Sequence, residues 1–208
     1  MIPVALPATA WRTAGRLAAG FLLGLLLWIA FRSGYERMLA GGAESILRLT
    51  ESPAVTRLEA RGGEILVNRS DFPPSAPRPG LPAADLHFNF ILLVALFALA
   101  RRPWRGDWVA SFLLASVLLW VVHLTALVFQ VRALYATRLG EWSAAHYGAV
   151  ARNFWATGFH FYQVAGRFAA PFALWWPFAR VDQASQAAAP EKTRPRRRAG
   201  GGPLRIVK

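Results

Sequence analysis

The chain reads as an α-helical integral membrane protein with about four transmembrane helices and a small extracytoplasmic segment built from a helix and a β-hairpin. Three observations predict this. Hydrophobic residues make up 55% of the 208 positions, and with glycine added they pass the roughly 45–50% apolar content of soluble domains. Charged residues are 17%, where about 25% is usual. The formal net charge is nevertheless +13, from 24 Lys+Arg against 11 Asp+Glu. A disordered basic chain lacks such apolar content, and a soluble nucleic-acid binder rarely carries runs like Phe21–Ala30.

The first apolar stretch is Leu17–Phe31, bracketed by Arg16 and Arg32. Ala10–Leu17 extends it if Arg12 and Arg16 reach back to the head groups. Residues 1–32 are thus a cytoplasmic stub and a signal-anchor helix. The nearest small-residue cluster, Ala40–Ala43, lies too far beyond the apolar run for signal cleavage.

Residues 33–85 are too long for a simple connection. Tyr35, Met38, Leu39, Gly42, Ile46 and Leu49 recur near helical spacing, with Glu36, Arg37, Glu44 and Arg48 between them. This describes an amphipathic helix, continuing from the anchor or lying beside it, that Pro53 ends. Two alternating runs flank Gly62-Gly63, a two-residue turn signal. Pairing across it sets Arg61 opposite Glu64, Ala60 opposite Ile65 and Leu58 opposite Val67. A lone hairpin is marginal in water, so its apolar face is expected to rest on the amphipathic helix or the bilayer surface. Pro73, Pro74, Pro77, Pro79 and Pro82 then form a stiff strap back to the membrane.

Residues 86–180 form a three-helix membrane region. Leu86–Ala100 is one span, Trp108–Val131 the clearest, and the last lies within Asn153–Ala179, with Arg167 inside it. Pro171 and Pro177 imply a kink or break there. The aromatic-rich Arg132–Tyr162 reads as an outer-interface belt, with room for a helix lying flat before the last span. Residues 181–208 are a disordered basic tail, attracted to anionic lipid.

Charge fixes orientation through the positive-inside rule. Arg101, Arg102 and Arg105 against Asp107 mark a cytoplasmic loop, and the tail from Arg180 carries eight Lys+Arg against Asp182 and Glu191. Arg and acids balance between the first two spans. Arg132, Arg138, Arg152 and Arg167 against Glu141 oppose the rule, and the larger tail outweighs them. The reading is a bacterial inner-membrane protein with both termini inside.

His87, His123 and His160 fall toward the outer leaflet, His123 deepest in an apolar run. Ionisable residues at that depth are rare and often functional. They face one another as a metal or haem site, or each makes one interhelical hydrogen bond or sits at the head-group level. Arg167 either snorkels or pairs with a carboxylate on another protein, since no acid lies within the last three spans. With Cys absent there is no disulfide, thiolate site or cysteine nucleophile. No Walker loop, GxSxG, HExxH or paired-carboxylate constellation is present. No catalytic, cofactor or metal residue is therefore assigned, and no nucleic acid is expected as a partner. Candidate contact residues are His123, Arg167, His87 and His160.

A basic N-terminus and anchor lead to Ala54-Val-Thr-Arg-Leu-Glu-Ala and Glu64-Ile-Leu-Val, then to His87-Phe-Asn-Phe-Ile-Leu-Leu-Val-Ala-Leu, an Arg-Pro loop and two more spans. Over about residues 15–180 this resembles the small multi-pass proteins associated with exosortases, in particular the exosortase H-associated membrane proteins of Gram-negative bacteria. Exosortases are membrane transpeptidases thought to use Cys, Arg and His, so this cysteine-free chain is no such enzyme by that mechanism. The resemblance implies a non-enzymatic accessory of a membrane-embedded sorting or export system, with an exosortase or another membrane protein as partner besides membrane lipid. The alternative is a bis-His haem- or metal-binding membrane protein.

Overall fold

The computed structural model describes residues 8–73, 75, 78–100 and 106–187. The arginines at 101, 102 and 105, the prolines at 74 and 77, and the basic tail from 188 lie outside the described residues.

The first helix, α1 (Ala8–Leu49), is 42 residues long, about 63 Å at the usual rise. The expected anchor and the amphipathic helix are therefore one continuous rod. Gly34, Gly41 and Gly42 only weaken a helix, and no proline interrupts it. It stops at Leu49, ahead of Pro53, where the Thr50 hydroxyl donates back to the Ile46 and Leu47 carbonyls. Its buried stripe also differs from the expected one. Glu36, Leu39, Ala40, Ala43 and Leu47 are buried, while Met38, Ile46 and Leu49 are exposed. The spacing is helical in both cases; the chain buries the narrower side, where Ala40 and Ala43 permit close approach.

Strands β1 (Thr56–Arg61) and β2 (Glu64–Arg69) pair antiparallel in the register set by the turn, Arg61 with Glu64, Ala60 with Ile65 and Leu58 with Val67. Gly62 and Gly63 have φ of 63° and 85°, the positive values that a type I′ turn requires and that glycine supplies without strain. The proline-rich strap contributes more than a connection. Its end forms β3 (Gly80–Pro82), antiparallel to β2 with Leu81 opposite Ile65. Prolines suit this edge because the Pro79 carbonyl needs only to accept from Val67 N–H (2.9 Å). The third strand removes the marginality of an isolated hairpin.

Helices α2 (Ala84–His87) and α3 (Phe90–Phe97) are separated by Phe88-Asn89. Helix α4 (Gly106–Thr137) follows, then α5 (Glu141–His146) and α6 (Ala149–Phe161). A π-helical turn, Tyr162–Gly166, carries α6 directly into α7 (Arg167–Ala187). The aromatic-rich segment thus holds the short separate helix α5 and then α6, which is the first part of the same helical run as α7. Pro171 and Pro177 do not break that run, since both lie inside α7.

The molecule is mostly helical, with one small sheet. Among the described residues, two helices are long and apolar enough to cross a membrane, α1 and α4; the apolar stretch Ala84–Phe97 is shorter.

Two cores hold these parts. In one, Leu58, Ile65, Val67 and Leu81 of the sheet meet Leu39, Ala43 and Leu47 of α1 and Leu127, Val131 and Leu134 of α4. The hairpin thus rests on two helices. Glu44 of α1 accepts the Leu58 amide of the edge strand at 2.9 Å. Arg69 forks onto Asp71 (3.0 and 2.8 Å) with its guanidinium over Trp142, Tyr135 and Phe72 at 4.5, 5.0 and 5.3 Å. That forked contact holds the Asp71 carboxyl below the usual carboxylate range. In the other core, Leu93 and Phe97 of α3 pack with Trp108, Ala115 and Leu119 of α4, bordered by Leu174 and Phe178 of α7.

The contact between α1 and α3 is made by backbone. A methyl group on Gly20 would lie 2.5 Å from Ala98 Cβ, and one on Gly24 would lie 2.9 Å from the Ile91 carbonyl oxygen. Gly20 and Gly24 are a GxxxG pair, the spacing that lets two apolar helices touch.

Candidate functional site

Where α1 leaves the α3 contact, four ring-bearing or polar side chains turn inward. Trp28 and Tyr35 come from α1, His87 from α2 and His123 from α4. The Tyr35 ring sits edge-on between the two imidazoles, 5.3 Å from His87 and 5.9 Å from His123. His87, His123 and Asn89 are almost completely buried, at 1%, 0% and 1% exposure.

The hydrogen bonds among them have a direction. Asn89 donates its amide N–H to the Arg167 carbonyl at 2.7 Å. Its amide oxygen therefore faces His123 Nε2, 2.7 Å away, and can only accept. His123 then carries its proton on Nε2, and Nδ1 accepts from the Tyr35 hydroxyl at 2.6 Å. One chain of donors thus runs Tyr35, His123, Asn89, Arg167 carbonyl, joining α1, α4, the α2–α3 break and α7.

Its last link follows from the sequence. A proline in a helix removes the bond to the carbonyl four residues earlier, and for Pro171 that carbonyl belongs to Arg167. Asn89 supplies the missing donor, and the π turn just before Arg167 adjusts the helix to it. The Tyr162 hydroxyl, at that turn, donates to the Leu86 carbonyl at 2.6 Å.

A second group sits beside the first. Trp28 Nε1 donates to His87 Nδ1 at 2.9 Å, which leaves the proton on His87 Nε2. That atom is buried without a hydrogen-bond partner, 3.5 Å from Glu36 Oε1. Glu36, read as part of a polar face, is only 5% exposed.

Of the expected site residues, His87 and His123 are brought together through Tyr35. His160 is not among them: it is exposed, beside Phe159 at 5.4 Å. It borders a shallow cavity between α6 and α4, lined also by Gln130, Leu134 and Phe159, apart from the other two histidines. The Arg167 side chain contacts Gln163 Oε1 (3.2 Å), lies over Phe168 and Phe88 (4.8 and 5.9 Å), and leaves Nε buried and unpaired. Among the described residues no carboxylate pairs with it, and no group of three His, Cys, Asp or Glu could hold a metal ion. Both ring nitrogens of His123 are engaged by Tyr35 and Asn89.

Trp28, Tyr35, Glu36 and Asn89 escape a reading based on ionisable groups in apolar runs. Two signals point to them. Asn89 is the lone amide within Leu86–Ala100, and Glu36 stands in a three–four stripe with Leu39, Ala40, Ala43 and Leu47.

No known protein family, characterised protein or solved structure matches this chain.

Proposed function

We propose that this chain is a non-enzymatic protein of the bacterial inner membrane that crosses it four times, with both termini inside, and serves as an accessory to an exosortase-type sorting or export enzyme. In this reading the crossings are α1, the stretch from α2 through α3, α4, and the run of α6 with α7. The sheet and the outer ends of α1 and α4 stand on the extracytoplasmic side. The Arg-rich loop after α3 and the basic tail supply the orientation.

The observation that carries the partner reading is Arg167. A guanidinium set among Phe88, Phe168 and the π turn, with no carboxylate beside it among the described residues, suits an acid from another protein. The neighbouring polar chain supports a structural role, since its donors and acceptors satisfy one another.

The absence of cysteine makes topology easy to test. In intact spheroplasts a membrane-impermeant maleimide should label Ser75→Cys and spare Lys208→Cys; the reverse pattern would overturn the orientation. For the partner, the tagged chain should co-purify with an exosortase from its own membranes, and Arg167→Gln should lower the yield. A wild-type chain that brings down no exosortase sinks the accessory reading. A Soret band in the purified protein would favour the haem-binding alternative instead.

A further inference from the structure

Trp28, Tyr35 and His87 also form the wall of an outward-facing groove, completed by Leu27, Phe31, Arg32 and Phe90, with about 630 Å3 of space counting its open side. The hydrogen bonds already described determine what that wall offers. Trp28 spends its N–H on His87, Tyr35 spends its hydroxyl on His123, and the unpaired His87 Nε2 is buried toward Glu36. Every polar atom of the three rings is turned inward. The groove therefore presents hydrocarbon and ring faces, and Arg32, the one permanently charged residue bordering it, holds its guanidinium over the Trp28 ring at 5.8 Å. Among the described residues no carboxylate lies within 4.0 Å of Arg32; Glu36, one turn on, interacts with it only from farther away. Arg32 also stands at the end of the apolar run Leu17–Phe31, where the membrane reading places the head groups.

An apolar trough ending in one cation is complementary to a molecule with a long hydrocarbon tail and one anionic head. We propose that the groove between α1 and the α2–α3 break is a binding site for a single phospholipid, one acyl chain lying on Leu27, Trp28, Phe31 and Phe90 and the phosphate on Arg32. A quinone ring would demand donors along the wall, and a peptide would leave its amides unpaired there. The site rests on the membrane reading above and deepens it, because it ties one lipid to the face that backs the buried polar chain.

The test uses the full chain, reconstituted in vesicles of phosphatidylcholine with phosphatidylglycerol, extracted into detergent and weighed intact by native mass spectrometry. The wild type should retain one phospholipid per chain. Arg32→Gln should retain about fivefold less, the loss expected for one cation near anionic lipid. Arg37→Gln, an exposed arginine one and a half turns away that does not line the groove, should behave as wild type. Equal retention by wild type and Arg32→Gln overturns the site, as does a wild type carrying no lipid or appearing as a dimer with the groove closed by a second copy. Carbonate extraction of the membranes reports separately on the membrane reading: a chain released by carbonate fails that reading, whereas one that stays but carries no lipid fails only the site.

Discussion

Asn89 uses both halves of its amide. It takes the carbonyl that Pro171 frees and fixes the proton of His123 on Nε2. Asn89→Leu leaves both groups buried and unpaired, at about 1–3 kcal/mol each. The expected loss in thermal stability is therefore large, and it should shrink when Pro171→Ala is present, because residue 171 can then donate to Arg167. Melting of the four proteins of this double-mutant cycle measures the coupling; strict additivity would contradict it. Tyr35→Phe removes only the donor to His123 Nδ1 and is expected to cost about 1–3 kcal/mol by the same assay. Acid behaviour is expected from Asp71, whose folded value is depressed by the Arg69 fork. Its stabilisation is whole above about pH 4 and fades as pH falls through the depressed folded value. Asp71→Asn should flatten the acid limb of a plot of melting temperature against pH. Histidines in apolar runs are visible from the amino acids alone, and two of the three do meet. Their partners are not visible in that way, since Asn89 and Arg167 stand 78 residues apart and only the folded bundle joins them.

The hairpin is the most legible element, because Gly-Gly between alternating runs leaves one register that buries Leu58, Ile65 and Val67 together. Strand β3 is hidden by its prolines, which read as a strap; Pro79 needs only to accept from Val67 N–H, and the donor at the other end is the Ala83 amide, given to the Gly63 carbonyl. The extent of α1 is half legible: the spacing allows a helix that continues from the anchor or lies beside it, and the continuous form is the one found, since no backbone feature enforces a boundary at Arg32. The helical run from α6 into α7 survives two prolines because a π turn and a side-chain amide compensate the first. Gly20 and Gly24 hold α1 against α3 and so place Trp28 and Tyr35 beside His87. Gly24→Leu is expected to push the helices apart, at about 1–3 kcal/mol or more for overpacking a tight contact. The groove rings should loosen with it, seen as faster hydrogen exchange at the Trp28 indole, while Gly15→Leu, facing open space, should change little.

Composition and charge outline the molecule as a whole: apolar helices and a cationic excess concentrated near 101–105 and the tail. What they leave out is how the small sheet is joined to the rest. It has no core of its own. Its apolar face is completed by α1, which precedes it, and by Leu127, Val131 and Leu134 of α4, which follow it across α2 and α3. Ile65→Ala, at a fully buried position between sheet and helices, is expected to cost about 2–5 kcal/mol, read in the same melting assay.

That shared core has a consequence for synthesis. As the ribosome delivers the chain, α1 and all three strands emerge well before Leu127, Val131 and Leu134, so for part of translation Ile65 and Val67 lack one wall of their enclosure. The sheet must wait for the later helix to be threaded into place. Nascent chains arrested before residue 120 should be cut by protease around the Gly62-Gly63 turn, whereas chains arrested well past residue 140 should resist. A hairpin already protected in the shorter chains would mean that α4 is not needed to close it.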